Sequence, residues 1–150
     1  MFKLSTSDRL GYWKQFRTEI DSMTLHEAIE ATNELWQSCP FIPYYLEPDK
    51  PEEWPDPWQL ITENYYCDIA KVLGIVYTLH LSKHSTLLTP EIRIYLDTKS
   101  RYSYHIAWLN GGKYIVNLSE DVIVNKEQIE NQNLKLKHCY TPVELKLEQY

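Results

Sequence analysis

Three residues in this sequence could together form a thiol-based catalytic site: Cys67, His105 and Asn117. A cysteine is nucleophilic only as the thiolate, and the unpaired amides at a helix N-terminus stabilise that anion. An imidazole can complete an ion pair with the thiolate, and an amide or carboxylate can hold the ring in orientation. Cys67 begins a strongly apolar segment, and the other two residues lie on successive strand-like segments. A helix packed on a sheet would bring all three together.

Each residue near this site also has a purely structural explanation. Cys67 is compatible with a small buried side chain on an apolar helix. His105 is compatible with a hydrogen-bonded strand residue, and Asn117 with a turn that ends its strand. Gln59 and Asn64 precede the cysteine by no more than about two helical turns. Either residue could donate a hydrogen bond to an oxyanion, or could cap a helix.

Two sequence segments resemble the core of transglutaminase-like proteins, a superfamily that also contains cysteine peptidases, amidases and deamidases. The first is Cys67-Asp68-Ile69-Ala70, and the second runs from Tyr104 to Asn117 through Asn110-Gly111-Gly112. The resemblance covers about residues 58–120. It implies a papain-like core in which a cysteine at a helix start precedes a strand that carries a histidine.

By this resemblance Cys67 is the nucleophile, His105 the base and Asn117 the residue that orients the ring. The implied activity is acyl transfer or hydrolysis of an amide or peptide. Two positions depart from the family pattern. Asn117 stands where an aspartate is usual, and Tyr65-Tyr66 replaces the glycine that often precedes the cysteine.

The hairpin between the two strands determines which residue lies opposite the histidine. A two-residue turn at Asn110-Gly111 would set His105 opposite Val116, and Asn117 would then face the other side of the sheet. A three-residue loop over Asn110–Gly112 would set His105 opposite Asn117, and the glycines permit such a loop.

The hydrophobic periodicity predicts a single α+β domain over residues 1–150, with two or three N-terminal helices packed on a C-terminal antiparallel sheet of about five strands. The first helix is predicted from Asp8 to about Ile20. The second follows a capping box at Thr24 and Glu27 and stops at Pro40. The third begins between Trp58 and Cys67 and runs to about Lys83. It is apolar on all sides and therefore buried, and its Gly74 marks a close approach by another element.

The predicted strands are Ile92–Leu96, Arg101–Leu109, Lys113–Leu118, Leu134–Tyr140 and Val143–Leu147, with Val122–Val124 as a short continuation.

The segment from Pro40 to Trp58 contains six of the eight prolines together with several aromatic residues. Proline lacks a backbone donor, so the segment is neither a helix nor a central strand. We expect an ordered loop that its aromatics hold on the domain surface. It could wall a catalytic cleft, or it could itself capture a protein as a non-catalytic binding module. The candidate binding residues are Tyr44, Tyr45, Trp54, Trp58 and Gln59.

The charge and the remaining motifs argue against several other classes of protein. The net charge of −6 provides no basic face for nucleic acid, and the partner we expect is a protein or peptide. Three cysteines without CxxC spacing, and an N-terminus without a signal peptide, favour a reducing, cytoplasmic location. We expect no membrane span, no cofactor and no metal, although His80 and His84 have a spacing that can bind a metal ion.

Overall fold

The computed structural model describes residues 1–43 and 45–150. It has an α+β fold in which four helices precede an antiparallel sheet, and a short fifth helix lies between the last two strands in sequence. The α+β class and the order of helices before sheet are therefore confirmed. The helices are α1 (Thr6–Ile20), α2 (Leu25–Gln37), α3 (Pro57–Glu63), α4 (Asp68–His80) and α5 (Lys126–Ile129). The strands are β1 (Pro90–Asp97), β2 (Ser103–Leu109), β3 (Tyr114–Val116) and β4 (Leu134–Tyr140).

The sheet has the order β3-β2-β1-β4, and every neighbouring pair is antiparallel. Within the described residues it has four strands, so the prediction of about five is wrong. The segment 143–147 forms turns instead, beginning with a hydrogen bond from the Leu145 amide to the Thr141 carbonyl at 2.9 Å. Leu145 and Leu147 belong to the main core. The apolar alternation that predicted a strand therefore reflects two buried side chains in a turn.

The predicted third helix is two helices. α3 ends at Asn64, whose left-handed backbone (φ 57°, ψ 37°) redirects the chain, and Cys67 then caps α4 from an extended conformation (φ −87°, ψ −178°). Asparagine tolerates the left-handed region better than most residues. Asp56 and Gln59 form a reciprocal capping box that starts α3. The break between the helices places Cys67 at a helix N-terminus and not inside a longer helix.

The helix α4 is the buried centre of the helical layer, as its apolar sequence predicts. A Cβ atom on Gly74 would come within 2.5 Å of the indole ring of Trp36 on α2, which confirms the predicted close approach. One turn later, the Thr78 hydroxyl accepts hydrogen bonds from the indole N–H groups of Trp13 and Trp36, each at 2.9 Å. This shared acceptor joins α1, α2 and α4, and so fixes the direction in which α4 meets the sheet.

The two faces of the sheet pack against different layers. Side chains alternate along a strand. Ala107 and Leu109 on β2 belong to the main core with the helices, whereas Ile106 and Trp108 belong to a smaller cluster on the opposite face. His105 has the same parity as Ala107 and Leu109. It therefore faces the helical layer, on the side where α4 packs.

The described residues of the proline-rich loop (residues 40–58), which are 40–43 and 45–58, are held at several points, as predicted. A short parallel bridge pairs Phe41 with Tyr66, and the Ile42 amide donates to the Tyr66 carbonyl at 3.0 Å. Its later part is fixed by three side-chain hydrogen bonds to backbone carbonyls: Trp54 to Glu47, Tyr77 to Pro55, and Tyr140 to Pro48. These contacts hold the first part of the loop beside the start of α4.

Candidate active site

Cys67 lies at the N-cap of α4, directly before the first helical residue. Only 6% of its surface is exposed, and its side chain makes no capping hydrogen bond. The first amides of a helix have no partner within the helix, and the helix dipole makes this end partly positive. The thiol therefore lies at the end of α4 where the backbone amides lack partners within the helix.

His105 meets the same end of α4 from the sheet. Its Nδ1 atom lies 3.8 Å from Oδ2 of Asp68, the first residue of α4. That nitrogen is buried and has no hydrogen-bond partner in the part of the chain that the structure describes. Burial lowers the pKa of His105, and the nearby Asp68 carboxylate opposes that shift only in part. The ring is therefore neutral at neutral pH, as a general base must be before it accepts a proton.

Cys67 and His105 line one cavity of about 470 Å³, which we call the Cys67 cavity. Its volume lies within the range typical of small-molecule sites. Asp68 and Ile69 line it from α4. The other walls come from the proline-rich loop and from the segment that leads into β2: Phe41, Pro43, Leu46, Pro48, Arg101, Tyr102 and Ser103.

Asn117 lies beside His105 but does not contact its ring. The Asn117 side-chain amide donates to the backbone carbonyl of His105 at 2.9 Å, and its oxygen accepts from Gln37 at 2.9 Å. The ring nitrogen Nδ1 faces Asp68 instead. Asn117 thus supports the backbone of the strand that carries His105, and the side chain beside Nδ1 is that of Asp68.

The hairpin register explains why Asn117 is displaced. β2 and β3 pair Leu109 with Tyr114 and Ala107 with Val116, so four residues connect the strands. Neither the two-residue turn nor the three-residue loop considered from the sequence is present. Asn110, Gly111 and Gly112 all have positive φ, and Lys113 adds a right-handed residue, which lengthens the connection. Asn117 itself has φ 73°, so it lies just beyond β3 in a left-handed conformation.

Two polar residues that the sequence analysis did not single out complete the surroundings of His105. The Lys71 ammonium, on the first turn of α4, donates to the Gln37 side-chain oxygen at 3.1 Å and lies 3.9 Å from Asp68. Gln37 in turn donates to Asn117. The side chains of Lys71, Gln37, Asn117 and Asp68 thus form a polar network around the histidine. The signal that could have revealed it is a lysine within an otherwise apolar helix.

The described candidate binding residues do not line this cavity. Tyr44 is outside the described residues. Tyr45 donates its hydroxyl to Glu63, which raises the pKa of Tyr45 to about 12. Trp54 packs its ring on Tyr140. None of the four described candidates, Tyr45, Trp54, Trp58 and Gln59, lines the Cys67 cavity.

The polar residues near the start of α3 and α4 have structural partners. Gln59 completes the capping box with Asp56, so the helix-cap explanation applies to it. The Asn64 side-chain amide donates to the Phe2 carbonyl at 3.0 Å. Neither residue lines the Cys67 cavity. Trp58, which is 47% exposed, contacts the Tyr150 ring at its edge.

The remaining histidines and the larger surface groove offer no comparable chemistry. The Nε2 atoms of His80 and His84 contact the carbonyls of Leu147 and Ile20, each at 2.7 Å. In the part of the chain that the structure describes, no group of three or more His, Cys, Asp or Glu could hold a metal ion, and no helix has the length and apolar character needed to cross a membrane. A groove of about 700 Å³ lies between α2 and residues 120–123, but no cysteine lines it.

The sequence matches no model of a known protein family and no curated protein.

Proposed function

We propose that this protein is a thiol-dependent enzyme that transfers an acyl group from an amide or peptide, to water or to an amine. Cys67 is the nucleophile, His105 the general base, and Asp68 the residue that orients the histidine. The observation that carries the proposal is that Cys67 and His105 line one cavity, while Asp68 lies 3.8 Å from Nδ1 of the ring. The resemblance to transglutaminase-like proteins, in which a helix-start cysteine is followed by a histidine strand, supports the roles of Cys67 and His105, and the role of Asp68 rests on that distance.

The proposed reaction begins when His105 accepts the proton of the Cys67 thiol. The sulfur attacks the carbonyl carbon, and a carbon–sulfur bond forms. The carbon–nitrogen bond then breaks, the leaving amine takes the proton from His105, and a thioester remains on Cys67. Water or a second amine attacks the thioester carbon and gives a proton to His105. The carbon–sulfur bond breaks, the acid or the new amide leaves, and His105 returns the proton to the sulfur of Cys67. No oxidant or reductant is consumed.

Asp68 contributes through charge and tautomer. A carboxylate beside Nδ1 favours the ring form that carries its proton on Nδ1, which leaves Nε2 free to accept the thiol proton. The same carboxylate stabilises the imidazolium that forms when the thiolate is generated. The dipole of α4 stabilises the other partner, because Cys67 lies at its positive end.

The surroundings of the cysteines agree with a reducing compartment such as the cytoplasm. All three cysteines, Cys39, Cys67 and Cys139, are free. Burial raises the pKa of Cys39 to about 11, and burial is also the main cause of the raised pKa of Cys139. These two thiols are therefore protonated at neutral pH, and they serve as internal references for the reactivity of Cys67.

The second candidate function is capture of a protein partner without catalysis. It is favoured by two aromatic side chains that line the Cys67 cavity and are more than half exposed, Phe41 and Tyr102. Such rings are frequent in binding hot spots. This alternative predicts that Cys67→Ala leaves partner capture intact, while Phe41→Ala weakens it.

The test is labelling of the native protein with iodoacetamide, followed by mass-spectrometric mapping of each cysteine. The proposal predicts that Cys67 reacts at least about tenfold faster than Cys39 and Cys139 at neutral pH, and that His105→Gln removes the difference. The matched control is His138→Gln, which removes an imidazole outside the cavity. If Cys67 reacts no faster than an ordinary thiol, the proposal fails.

A further inference from the structure

The Cys67 cavity has one apolar side. Four of its lining residues come from the proline-rich loop and carry no charge or hydrogen-bonding side chain: Phe41, Pro43, Leu46 and Pro48. The loop is fixed here by the bridge between Phe41 and Tyr66, so this wall is formed before any ligand enters. A preformed apolar wall binds an apolar side chain and excludes water from it.

The lining of the cavity also carries a positive charge. Arg101 lines it from the turn that precedes β2. The backbone of Arg101 is left-handed (φ 66°), and its amide donates to the Asp97 carbonyl at 2.8 Å, which fixes the position from which the side chain extends. Within the described residues, the Arg101 guanidinium makes no hydrogen bond and no ion pair.

The other charge on the cavity wall is already balanced. The Asp68 carboxylate lies 3.9 Å from the Lys71 ammonium, which carries the opposite charge, and 3.8 Å from the His105 ring. Arg101 is therefore the unbalanced charge of the cavity, in a chain whose net charge is −6. An unpaired guanidinium at the edge of an acidic protein's cavity matches a carboxylate on the ligand.

We infer that the substrate of this site is a peptide segment in which an apolar side chain and an acidic side chain lie within one or two residues of the amide that is attacked. The apolar side chain lies against the proline-rich loop, and the acidic side chain pairs with Arg101. This inference rests on the proposed function, because it takes Cys67 as the point of attack.

The first experiment compares two small electrophiles that differ in charge. Iodoacetate and iodoacetamide alkylate a thiol through the same carbon, so the ratio of their rates at Cys67 reports the local potential. The rate with iodoacetate divided by the rate with iodoacetamide is measured at Cys67 and normalised to the same quotient at Cys139. We expect this normalised quotient to be about threefold to tenfold lower in Arg101→Gln than in wild type, which is the size of effect expected from one partly exposed charge. Lys99→Gln is the matched control: it removes a cation from the same turn, but Lys99 does not line the cavity.

The second experiment tests the peptide itself. Three capped tetrapeptides are compared for protection of Cys67 against iodoacetamide: one with adjacent leucine and glutamate, one with leucine and glutamine, and one with alanine and glutamate. The leucine–glutamate peptide should protect best. Arg101→Gln should abolish its advantage over the glutamine peptide, and Phe41→Ala should reduce its advantage over the alanine peptide.

The outcomes separate this inference from the proposed function. The inference is overturned if Cys67 is labelled fast but the ratio of iodoacetate to iodoacetamide rates is the same in wild type and Arg101→Gln. Equal protection by all three peptides also overturns it. Either result leaves the proposed function of Cys67 unaffected. Slow labelling of Cys67 by both electrophiles overturns the proposed function, and the inference with it. A fall in the ratio that Lys99→Gln reproduces shows a general surface potential, which also overturns the inference.

Discussion

The Nδ1 atom of His105 lies 3.8 Å from the carboxylate of Asp68, and that nitrogen is buried without a hydrogen-bond partner among the described residues. A buried polar atom without a partner costs free energy, and such atoms are uncommon in folded proteins. Burial lowers the pKa of His105, and the Asp68 carboxylate opposes that shift in part. When the ring becomes an imidazolium, its attraction to Asp68 strengthens, so this carboxylate is the group that offsets the cost of charging the buried ring.

Replacement of Asp68 by asparagine should slow alkylation of Cys67 at neutral pH by about tenfold, the order of effect of one nearby charge on a proton-transfer step. The Asp68 carboxylate raises the pKa of His105, so its removal makes the ring a weaker base. The rate at Cys67 relative to Cys139, measured over a series of pH values, checks this. Asp121→Asn, which removes an exposed acid elsewhere, should leave the profile unchanged. An unchanged profile in Asp68→Asn would show that Asp68 does not act on the ring.

The stability of the fold should fall in mildly acidic solution because of His105. Burial holds the pKa of His105 below its ordinary value of 6.5, so the folded state binds this proton less readily than the unfolded chain does. The contribution of His105 to the free energy of unfolding is fully present above the pKa that this residue has in the unfolded chain. It is lost as the pH falls through the lower pKa that His105 has in the folded protein. Urea unfolding at pH values on both sides of this window should show a smaller pH dependence in His105→Gln than in wild type. Equal pH dependence in the two proteins would contradict the shift.

Replacement of Thr78 by valine should lower the free energy of unfolding by about 2–4 kcal/mol. The Thr78 hydroxyl accepts hydrogen bonds from both Trp13 and Trp36, and the substitution leaves two buried indole N–H groups without an acceptor. Thr78→Ser keeps the hydroxyl and is the control, with a cost of about 1 kcal/mol for the lost methyl group. Urea unfolding measures both. Similar losses for valine and serine would mean that the hydroxyl is not the important group.

Alanine at the two helical glycines should have opposite effects. In Gly74→Ala the new methyl group would meet the Trp36 ring at 2.5 Å, and overpacking of this kind costs about 1–3 kcal/mol. In Gly11→Ala no atom lies within 4 Å, so the gain in helix propensity should stabilise the protein by about 0.5–1 kcal/mol. The urea midpoints of the two variants should therefore lie on opposite sides of wild type. A Gly74→Ala midpoint at or above that of wild type would refute the tight contact.

The parts of the fold that depend on local chemistry could be predicted from the sequence. The capping box of Thr24 and Glu27 lies three residues apart in the chain, and the structure has both of its hydrogen bonds. The buried character of α4 and the close approach at Gly74 also follow from composition within a single segment. Each of these features needs only neighbouring residues to specify it.

The predictions that were wrong concern features that depend on how separate segments of the chain pack or pair with one another. The turn at 143–147 has the apolar spacing of a strand, but pairing with another strand is not a local property. Similarly, the register of the hairpin depends on the backbone conformation of four connecting residues, of which Lys113 is not a typical turn residue. The distance between Asp68 and His105 depends on how β2 and α4 pack together. Spacing along the chain does not specify that packing, so the sequence analysis did not single out Asp68.

The most direct test of the account is to treat the native protein with an activated acetyl ester and to map the acetyl group by mass spectrometry. The account predicts a single acetyl group on Cys67, formed rapidly and then lost to water. It also predicts that the adduct is absent in Cys67→Ala and forms at least about tenfold more slowly in His105→Gln. An acetyl group that forms on Cys67 no faster than on Cys139, or at the same rate in wild type and His105→Gln, would contradict the account.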